Sequence, residues 1–375
     1  MKTPLTLILP FLTLCIFSCD SEDSKPKIEE KEDLSQKTLF VPYYNPEIKY
    51  QGRIDSLSSK AVKLFWSSSS VTLNFEGNSI QALMQDENYD TFYTVAVDDN
   101  EPFTMQPDSL ENYITLADNL GAGSHRVELH RNSEWTRGTT IFKGFEIKGN
   151  PKVLPRNIQS TRKIEFYGDS VTAGASVNDT SGEDSPNGSL TDSYKSYTSI
   201  TARHFNAEQS SICRGGIGLM VSWFEQIMPE LYDKHNPFEE NSSWNFSNYQ
   251  PDIVVVNIGQ NDSWIVNLEG HPRFMDAFGT TPPTQEFIVN SYKTFISQLR
   301  EKYPNANIIC MLGNMDVTYT DLWPGYVTQA VQELNDAKIF AHFVPFKGTG
   351  GHPSVAEHHL MAESLIGFIE TNISW

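Results

Sequence analysis

Lys163-Ile164-Glu165-Phe166-Tyr167-Gly168-Asp169-Ser170-Val171-Thr172-Ala173-Gly174 reads as an apolar strand that ends at a glycine and turns into a helix. Four more apolar runs follow, near 208–213, 252–258, 307–312 and 338–344, with helix-like stretches near 193–204, 285–302, 325–335 and 354–371. Strands alternating with helices predict an α/β domain built on a parallel sheet of five strands. Ligands of such open sheets bind beyond the carboxyl ends of the strands. A flavodoxin-like strand order, 2-1-3-4-5, would gather the ends of the first, second, third and fifth strands at one rim.

Upstream the rhythm is different. Val71-Thr72-Leu73-Asn74-Phe75, Thr91-Phe92-Tyr93-Thr94-Val95-Ala96-Val97 and His125-Arg126-Val127-Glu128-Leu129-His130 alternate. Glu76-Gly77-Asn78, Asp98-Asp99-Asn100 and Gly121-Ala122-Gly123 mark turns between such runs. Short alternating strands with no sustained helical period predict a β-sandwich of jelly-roll type. A chain of 375 residues is long for one core, since domains run to about 150 residues. The expected organisation is a sandwich over residues 39–150 and an α/β domain over residues 151–375, meeting at Gly149-Asn150-Pro151.

With 39% hydrophobic and 12% aromatic residues, the body has the composition of an ordinary soluble protein. A formal net charge of −19 argues against nucleic acid or an anionic membrane surface as partner, because both repel it. Neutral ligands such as sugars are compatible with that charge, and a monomer is expected. Lys2 precedes a mostly apolar stretch from Leu5 to Phe17, too short to span a bilayer and readable as an export signal over residues 1–18. Ile16-Phe17-Ser18-Cys19 resembles the lipobox of bacterial lipoproteins, whose cysteine is lipidated after cleavage. Asp20-Ser21-Glu22-Asp23 is similar to the acidic export signal of surface-exposed Bacteroidetes lipoproteins. These likenesses imply an outer-membrane, cell-surface lipoprotein held through Cys19, with a periplasmic or secreted protein as the alternative. The membrane would be touched only through that anchor. Residues 19–38 form a charged linker with little to bury. Of the four cysteines, Cys15 lies in the signal and Cys19 would carry lipid. Cys213 and Cys310 fall on strands that are not neighbours in the expected order, and both are expected as free buried thiols.

Ser170 stands where strand meets helix, so its hydroxyl can face solvent while its N–H joins the positive end of the helix. A serine hydroxyl is a weak nucleophile until a base lies within hydrogen-bond reach. Taken alone, Gly168-Asp169-Ser170 is also readable as a turn and helix cap. Cys213-Arg214-Gly215-Gly216-Ile217-Gly218 follows the second strand, and one of its glycines can offer a backbone N–H to an oxyanion. Gly216 is the choice, with Gly215 the alternative. Asn257-Ile258-Gly259-Gln260-Asn261-Asp262 leaves the third strand as a polar loop. There the Asn261 amide can donate to the same oxyanion, Gly259 would let backbone and substrate approach, and Asp262 would pin the loop. His352, in Gly348-Thr349-Gly350-Gly351-His352-Pro353-Ser354, supplies a base. Pro353 suits the first turn of a helix from Ser354 to Ile369. His358 and His359 lie inside that helix and read as packing or surface residues.

Gly168-Asp169-Ser170, Gly216, Gly259-Gln260-Asn261-Asp262 and His352-Pro353-Ser354 resemble the four blocks of the SGNH, or GDSL-type, hydrolases. The stretch 163–174 is similar, more narrowly, to family-2 carbohydrate esterases. So are Gly52-Arg53-Ile54-Asp55, Glu128-Leu129-His130-Arg131 and Phe142-Lys143-Gly144-Phe145. The resemblance covers roughly residues 40–375. It implies a jelly-roll domain followed by an SGNH-hydrolase domain, acting on acetylated plant polysaccharides. O-Acetyl groups would be removed from xylan or glucomannan, favouring the 6-position of hexopyranosides. No metal or cofactor is implied.

The last block departs from the family pattern. Where an acid usually stands two or three residues before the histidine, this chain has Thr349 and Gly350. Such an acid bonds the imidazole and fixes its tautomer. The expectation is a Ser–His dyad with a main-chain carbonyl of Thr349 or Gly350 orienting His352; an acid from elsewhere in the chain is the other account. His352 would take the proton of Ser170 as it attacks the acetyl carbonyl. The N–H groups of Ser170 and Gly216, with the Asn261 amide, would hold the oxyanion. Trp264, just past the third block, is the candidate sugar platform, with a core tryptophan as the plain alternative. Two other readings stay open: an SGNH lipase or thioesterase for longer acyl chains, and a carbohydrate-binding lipoprotein with a vestigial esterase site.

Overall fold

The computed structural model describes residues 37–56, 60–156 and 161–375. The expected export signal, Cys19 and nearly all of the charged linker lie outside those residues. Among the described residues, no helix is long and apolar enough to cross a membrane.

The first half consists of two antiparallel sheets. Its strands are β1 (Thr38–Pro42), β2 (Lys49–Gln51), β3 (Val62–Leu64), β4 (Ser70–Glu76), β5 (Ser79–Asp86), β6 (Tyr93–Val97), β7 (Phe103–Met105), β8 (Asn112–Ala117), β9 (Ser124–Arg131), β10 (Thr140–Lys148) and β11 (Lys152–Val153). One sheet runs β1-β10-β5-β8 with β3 also on β10; the other runs β11-β4-β9-β6-β7 with β2 also on β4. Alternation sorts the side chains. In β5, Ile80, Ala82, Met84 and Asp86 are buried, while Ser79, Gln81, Leu83 and Gln85 are only half-buried. Strand β10 buries both Phe142 and Phe145, a spacing that plain alternation forbids. A register shift between Phe142 and Gly144 makes it possible. Gly144 is required there, because at φ 148 a Cβ would stand 2.3 Å from the Val41 carbonyl oxygen.

The second half is the α/β layer. Its strands are β12 (Lys163–Gly168), β13 (Glu208–Cys213), β14 (Ile253–Asn257), β15 (Asn307–Leu312) and β16 (Ile339–Phe343). Its helices are α1 (Ser170–Ala173), α2 (Tyr197–His204), α3 (Met228–Leu231), α4 (Gln260–Ile265), α5 (Pro272–Phe278), α6 (Gln285–Lys302), α7 (Leu322–Leu334) and α8 (Val355–Asn372). All strand pairs are parallel, in the order β13-β12-β14-β15-β16, which is the expected 2-1-3-4-5. Every residue of β14 is buried, as a strand covered on both faces must be. Val254 and Val256 face the cluster under α6 and α7, whereas Ile253 and Val255 face the cluster under α2 and α8. The nucleophile strand β12 therefore lies inside the sheet, flanked by β13 and β14.

Three local expectations change. The third polar segment is helix α4, and Gly259 at φ 123 lets the chain swing from strand into helix without a Cβ penalty. Pro353 stands before α8, whose N-cap is Ser354 in a capping box with Glu357. Helix α7 begins at Leu322, one turn ahead of the apolar period read from the sequence. Cys213 and Cys310 are free and buried, and burial pushes each thiol up to about 12, which keeps them unreactive.

The two halves form one compact unit. Phe65, Trp66 and Trp135 of the sandwich share a cluster with Tyr167 and Ile212 of the parallel sheet. Arg53 is buried between the halves: Nη2 lies 3.2 Å from Glu165 Oε1, and Nη1 donates to the carbonyls of Tyr232 and Lys234 at 2.6 and 2.9 Å. A guanidinium out of water needs that many partners. Strand β12 is thus braced from the sandwich side.

Candidate active site

Strand β12 delivers Ser170 to the carboxyl edge of the sheet. Gly168 is a space requirement, since a Cβ would lie 2.1 Å from Thr172 Oγ1 and 2.7 Å from the Asn257 carbonyl oxygen. Asp169 caps α1, its Oδ1 accepting the Val171 N–H at 3.0 Å. The cap reading of the tripeptide therefore belongs to Asp169 and leaves Ser170 free. Burial pushes the Asp169 carboxyl up to about 7, against the Val171 N–H, with the charge of Asp262 adding to the rise. Ser170 opens α1 and is 9% exposed. Neither its Oγ nor its N–H is claimed by another described residue.

Strand β13 runs into the glycine turn. The Gly215 N–H is taken, donated to Glu134 Oε2 at 2.6 Å. The Gly216 N–H has no acceptor among the described residues. Of the two glycines left open by the sequence, Gly216 is the one with a donor to spare. Its φ is 81, and a Cβ would come within 3.2 Å of Phe224 and 3.4 Å of Trp223. The turn abuts the nucleophile, for a Cβ on Gly215 would lie 3.7 Å from Ser170 Cβ.

Asn261 sits in the first turn of α4 and is buried. Its Nδ2 donates to the Ile217 carbonyl at 2.8 Å and stands 3.5 Å from Asp169 Oδ2, while its Oδ1 accepts the Trp223 indole N–H at 3.0 Å. Those contacts fix the amide's orientation and leave one N–H loosely held. Asp262 pins the loop after β13 rather than its own: its carboxylate accepts the N–H groups of Leu219, Met220 and Val221 at 2.8, 2.7 and 3.1 Å. Gly259 faces Leu312 and Trp323, so it serves the start of α4 and not substrate approach.

His352 lies just before the Ser354 cap of α8. Its Nδ1 is buried without a hydrogen bond, and Nε2 is open. The expected carbonyl support is absent: no bond runs from Nδ1 to Thr349 or Gly350, and the Gly350 carbonyl instead accepts from Lys347 Nζ at 2.7 Å. What stands beside Nδ1 is Asp184, with Oδ1 3.0 Å away but too oblique for a hydrogen bond. The same oxygen accepts the His352 backbone N–H at 2.8 Å.

Helices α1 and α8, which begin at Ser170 and just after His352, are linked through Tyr197. Thr172 of α1 meets the Tyr197 hydroxyl at 2.9 Å, and the Tyr197 ring stacks on His358 of α8. No hydrogen bond joins Ser170 to His352. Ligand-free catalytic pairs are often that loose. His358 is a packing residue, its Nδ1 accepting the Tyr197 N–H and burial pushing it down to about 3; His359 is exposed.

Trp264 is half-buried, its indole N–H held by the Asp316 carboxylate at 2.9 Å and its ring against the core beneath α8. Trp223 is more open, at 40% exposed, and is tied directly to Asn261. Sequence reasoning missed Trp223, Glu134 and Asp184. Trp223 had one usable signal, its place in the loop that follows the glycine turn. An open hydroxyl, free backbone N–H groups, an oriented amide and an imidazole at one rim are the parts of acyl transfer through a covalent serine ester.

A family model described as "Carbohydrate esterase 2 N-terminal" matches residues 50–156, and one for the "GDSL-like Lipase/Acylhydrolase family" matches residues 166–360. The chain is 34% identical over 344 residues to "Cellulase/esterase CelE" of Acetivibrio thermocellus, covering 88% of this chain and 40% of that protein. It therefore spans less than half the length of that relative. It is 25% identical to "Acetylxylan esterase / glucomannan deacetylase" of Cellvibrio japonicus, covering 92% and 94% of the two chains. The solved structure of a family two carbohydrate esterase from Clostridium thermocellum, in complex with cellohexaose, is 32% identical with a TM-score of 0.77, covering 86% of this chain and 98% of that one. The family two esterase structure from Cellvibrio japonicus, at 24% identity and a TM-score of 0.79, covers 89% and 98% and shows the same fold.

Proposed function

Because the chain belongs to the family-2 carbohydrate esterases, we propose that it removes O-acetyl groups from plant polysaccharides, with xylan and glucomannan as substrates and the 6-position of hexopyranosides preferred. One observation carries the mechanism: Ser170 Oγ and the Gly216 N–H are both uncommitted, and the turn holding one abuts the residue holding the other. His352 Nε2 takes the proton of Ser170, whose Oγ attacks the acetyl carbonyl. The N–H groups of Ser170 and Gly216 and the loosely held N–H of Asn261, which leaves Asp169 Oδ2, receive the oxyanion. His352 then gives the proton to the departing sugar hydroxyl. Water repeats the sequence and acetate leaves.

Trp223, rather than the half-buried Trp264, is the better-placed platform for the sugar ring, because its exposed face adjoins the oxyanion donors. The acetyl preference is supported by the position of the apolar cleft. That cleft is lined by Met220, Ile227, Phe278 and Phe287 and includes none of Ser170, Gly216, Asn261 or His352. A relative in complex with cellohexaose supports the glucomannan part of this reading, a β-linked hexose backbone that carries 6-positions, whereas xylan would be cut at its ring hydroxyl esters. Export and lipidation at Cys19 belong to the same proposal and rest on the pattern around Ser18-Cys19 alone.

Time-resolved NMR of acetylated xylan and acetylated glucomannan tests the reading. Acetyl signals on the polymer should fall as free acetate rises, at one ring position before the others. A chain that spares both polymers and cleaves octanoyl faster than acetyl esters of one chromophore would instead be a long-chain acyl esterase.

A further inference from the structure

We propose that Asp184, from the loop between α1 and α2, replaces the acid missing from the last block and is the positioning residue for His352. The inference rests on the serine-esterase reading above.

A buried ring nitrogen without a partner is unfavourable, and His352 Nδ1 is in that state. The Asp184 carboxylate is already anchored on the same residue, accepting its backbone N–H at 2.8 Å, with Oδ1 3.0 Å from Nδ1. The terminal torsion of an aspartate is broad. A modest turn of the carboxylate sets one oxygen on the backbone N–H and the other on the ring Nδ1–H, a two-point clamp. The chain is built for this meeting. Gly351, at φ 69, has no Cβ to stand 3.1 Å from the Gly182 carbonyl and 3.2 Å from Asp184 Oδ1, so the two loops can touch.

The Asp184 loop is tied down on both sides. Asp179 accepts the N–H groups of Ser181 and Ser185 at 2.8 Å each. From the sandwich, Arg137 donates to the Pro186 carbonyl at 3.0 Å while pairing with Asp90 at 2.9 Å. With Nδ1–H held by the carboxylate, the lone pair lies on Nε2, the ring nitrogen left without a bond. The ring takes the serine proton on Nε2 and returns it to the leaving sugar. Asp184 only accepts a hydrogen bond and steadies the imidazolium.

Asp184→Asn is the test. Asparagine keeps an acceptor for the His352 backbone N–H and tolerates the φ of 52 found at this position. The expected result is a fall in kcat of at least about 10²-fold with KM within about twofold of wild type, at an unchanged Tm. A downfield Nδ1–H proton in the ¹H NMR spectrum should be present in wild type and in Ser170→Ala, and absent in Asp184→Asn. A kcat within about twofold of wild type, or a downfield proton that persists in Asp184→Asn, would overturn the proposal. Failure of the esterase reading looks different: wild type then releases no acetate, while the resonance, which needs no substrate, still reports on Asp184.

Discussion

Glu134, on the β-sandwich, accepts the backbone N–H of Gly215 at 2.6 Å and so holds the glycine turn of the other half of the molecule. With that donor engaged, the neighbouring Gly216 N–H is the free one. Glu134→Ala should loosen the turn and lower kcat for acetate release by up to about 10²-fold, the scale of a misplaced catalytic group. Unfolding by urea should change little, because the side chain is half-buried. An unchanged kcat in Glu134→Ala would show that the turn holds its shape without the sandwich.

Asn261 and Trp223 make a second separable pair. Asn261→Ala removes an oxyanion donor and should cost about 10²–10³ in kcat. Trp223→Phe keeps a ring and deletes the N–H that orients Asn261 Oδ1, so kcat should fall about tenfold with KM nearly constant. Trp223→Ala should raise KM as well. Equal KM values for the phenylalanine and alanine variants would remove Trp223 from the sugar site.

Arg53 and Glu165 join the two halves inside the protein, with side chains 1% and 0% exposed. Arg53→Ala strands the carboxylate of Glu165, leaving it the hydroxyls of Ser210, Tyr167 and Tyr303. Breaking a buried pair from one side costs about 3–5 kcal/mol, to be read from urea unfolding. A loss under about 1 kcal/mol, the range of surface ion pairs, would mean that water reaches Glu165.

The histidines give a signed pH dependence. Burial pushes His130 down to about 4, only partly offset by Glu128, and its Nε2 is bound to Ser193 Oγ across the junction of the halves. A depressed folded value means stability that is complete above the unfolded value of 6.5 and lost as pH falls towards about 4. In that window the unfolded chain binds the proton that the folded one refuses. The stability gap between wild type and His130→Gln should therefore narrow on acidification from 6.5 to about 4, as followed by denaturant midpoints. A gap constant across that range would contradict the neutral buried imidazole.

The parallel half was legible because β14 and β15 are buried apolar runs and the long helices have their own period; α6 spans residues 285–302 as read. Ser170, Gly216, Asn261 and His352 could be named as candidates because they follow strand ends, where chemistry gathers in such sheets. Alternation also exposed the sandwich, although it could not foresee the register shift at Gly144 that buries Phe142 and Phe145 together. The partners of the site were hidden for a different reason. Asp184 meets a histidine 168 positions away, and Glu134 meets a glycine 81 positions away across the junction of the halves. No local pattern marks a carboxylate for such a role. Trp264 was named because it follows Asn261 in the sequence, whereas the indole bonded to Asn261 is that of Trp223.

Acetate release from acetylated glucomannan by wild type and by Ser170→Ala, followed by NMR at equal protein concentration, tests the central claim most directly. The account predicts steady release by wild type and none above the buffer rate by Ser170→Ala, with the two proteins unfolding at the same denaturant midpoint. Release by Ser170→Ala at the wild-type rate would contradict it.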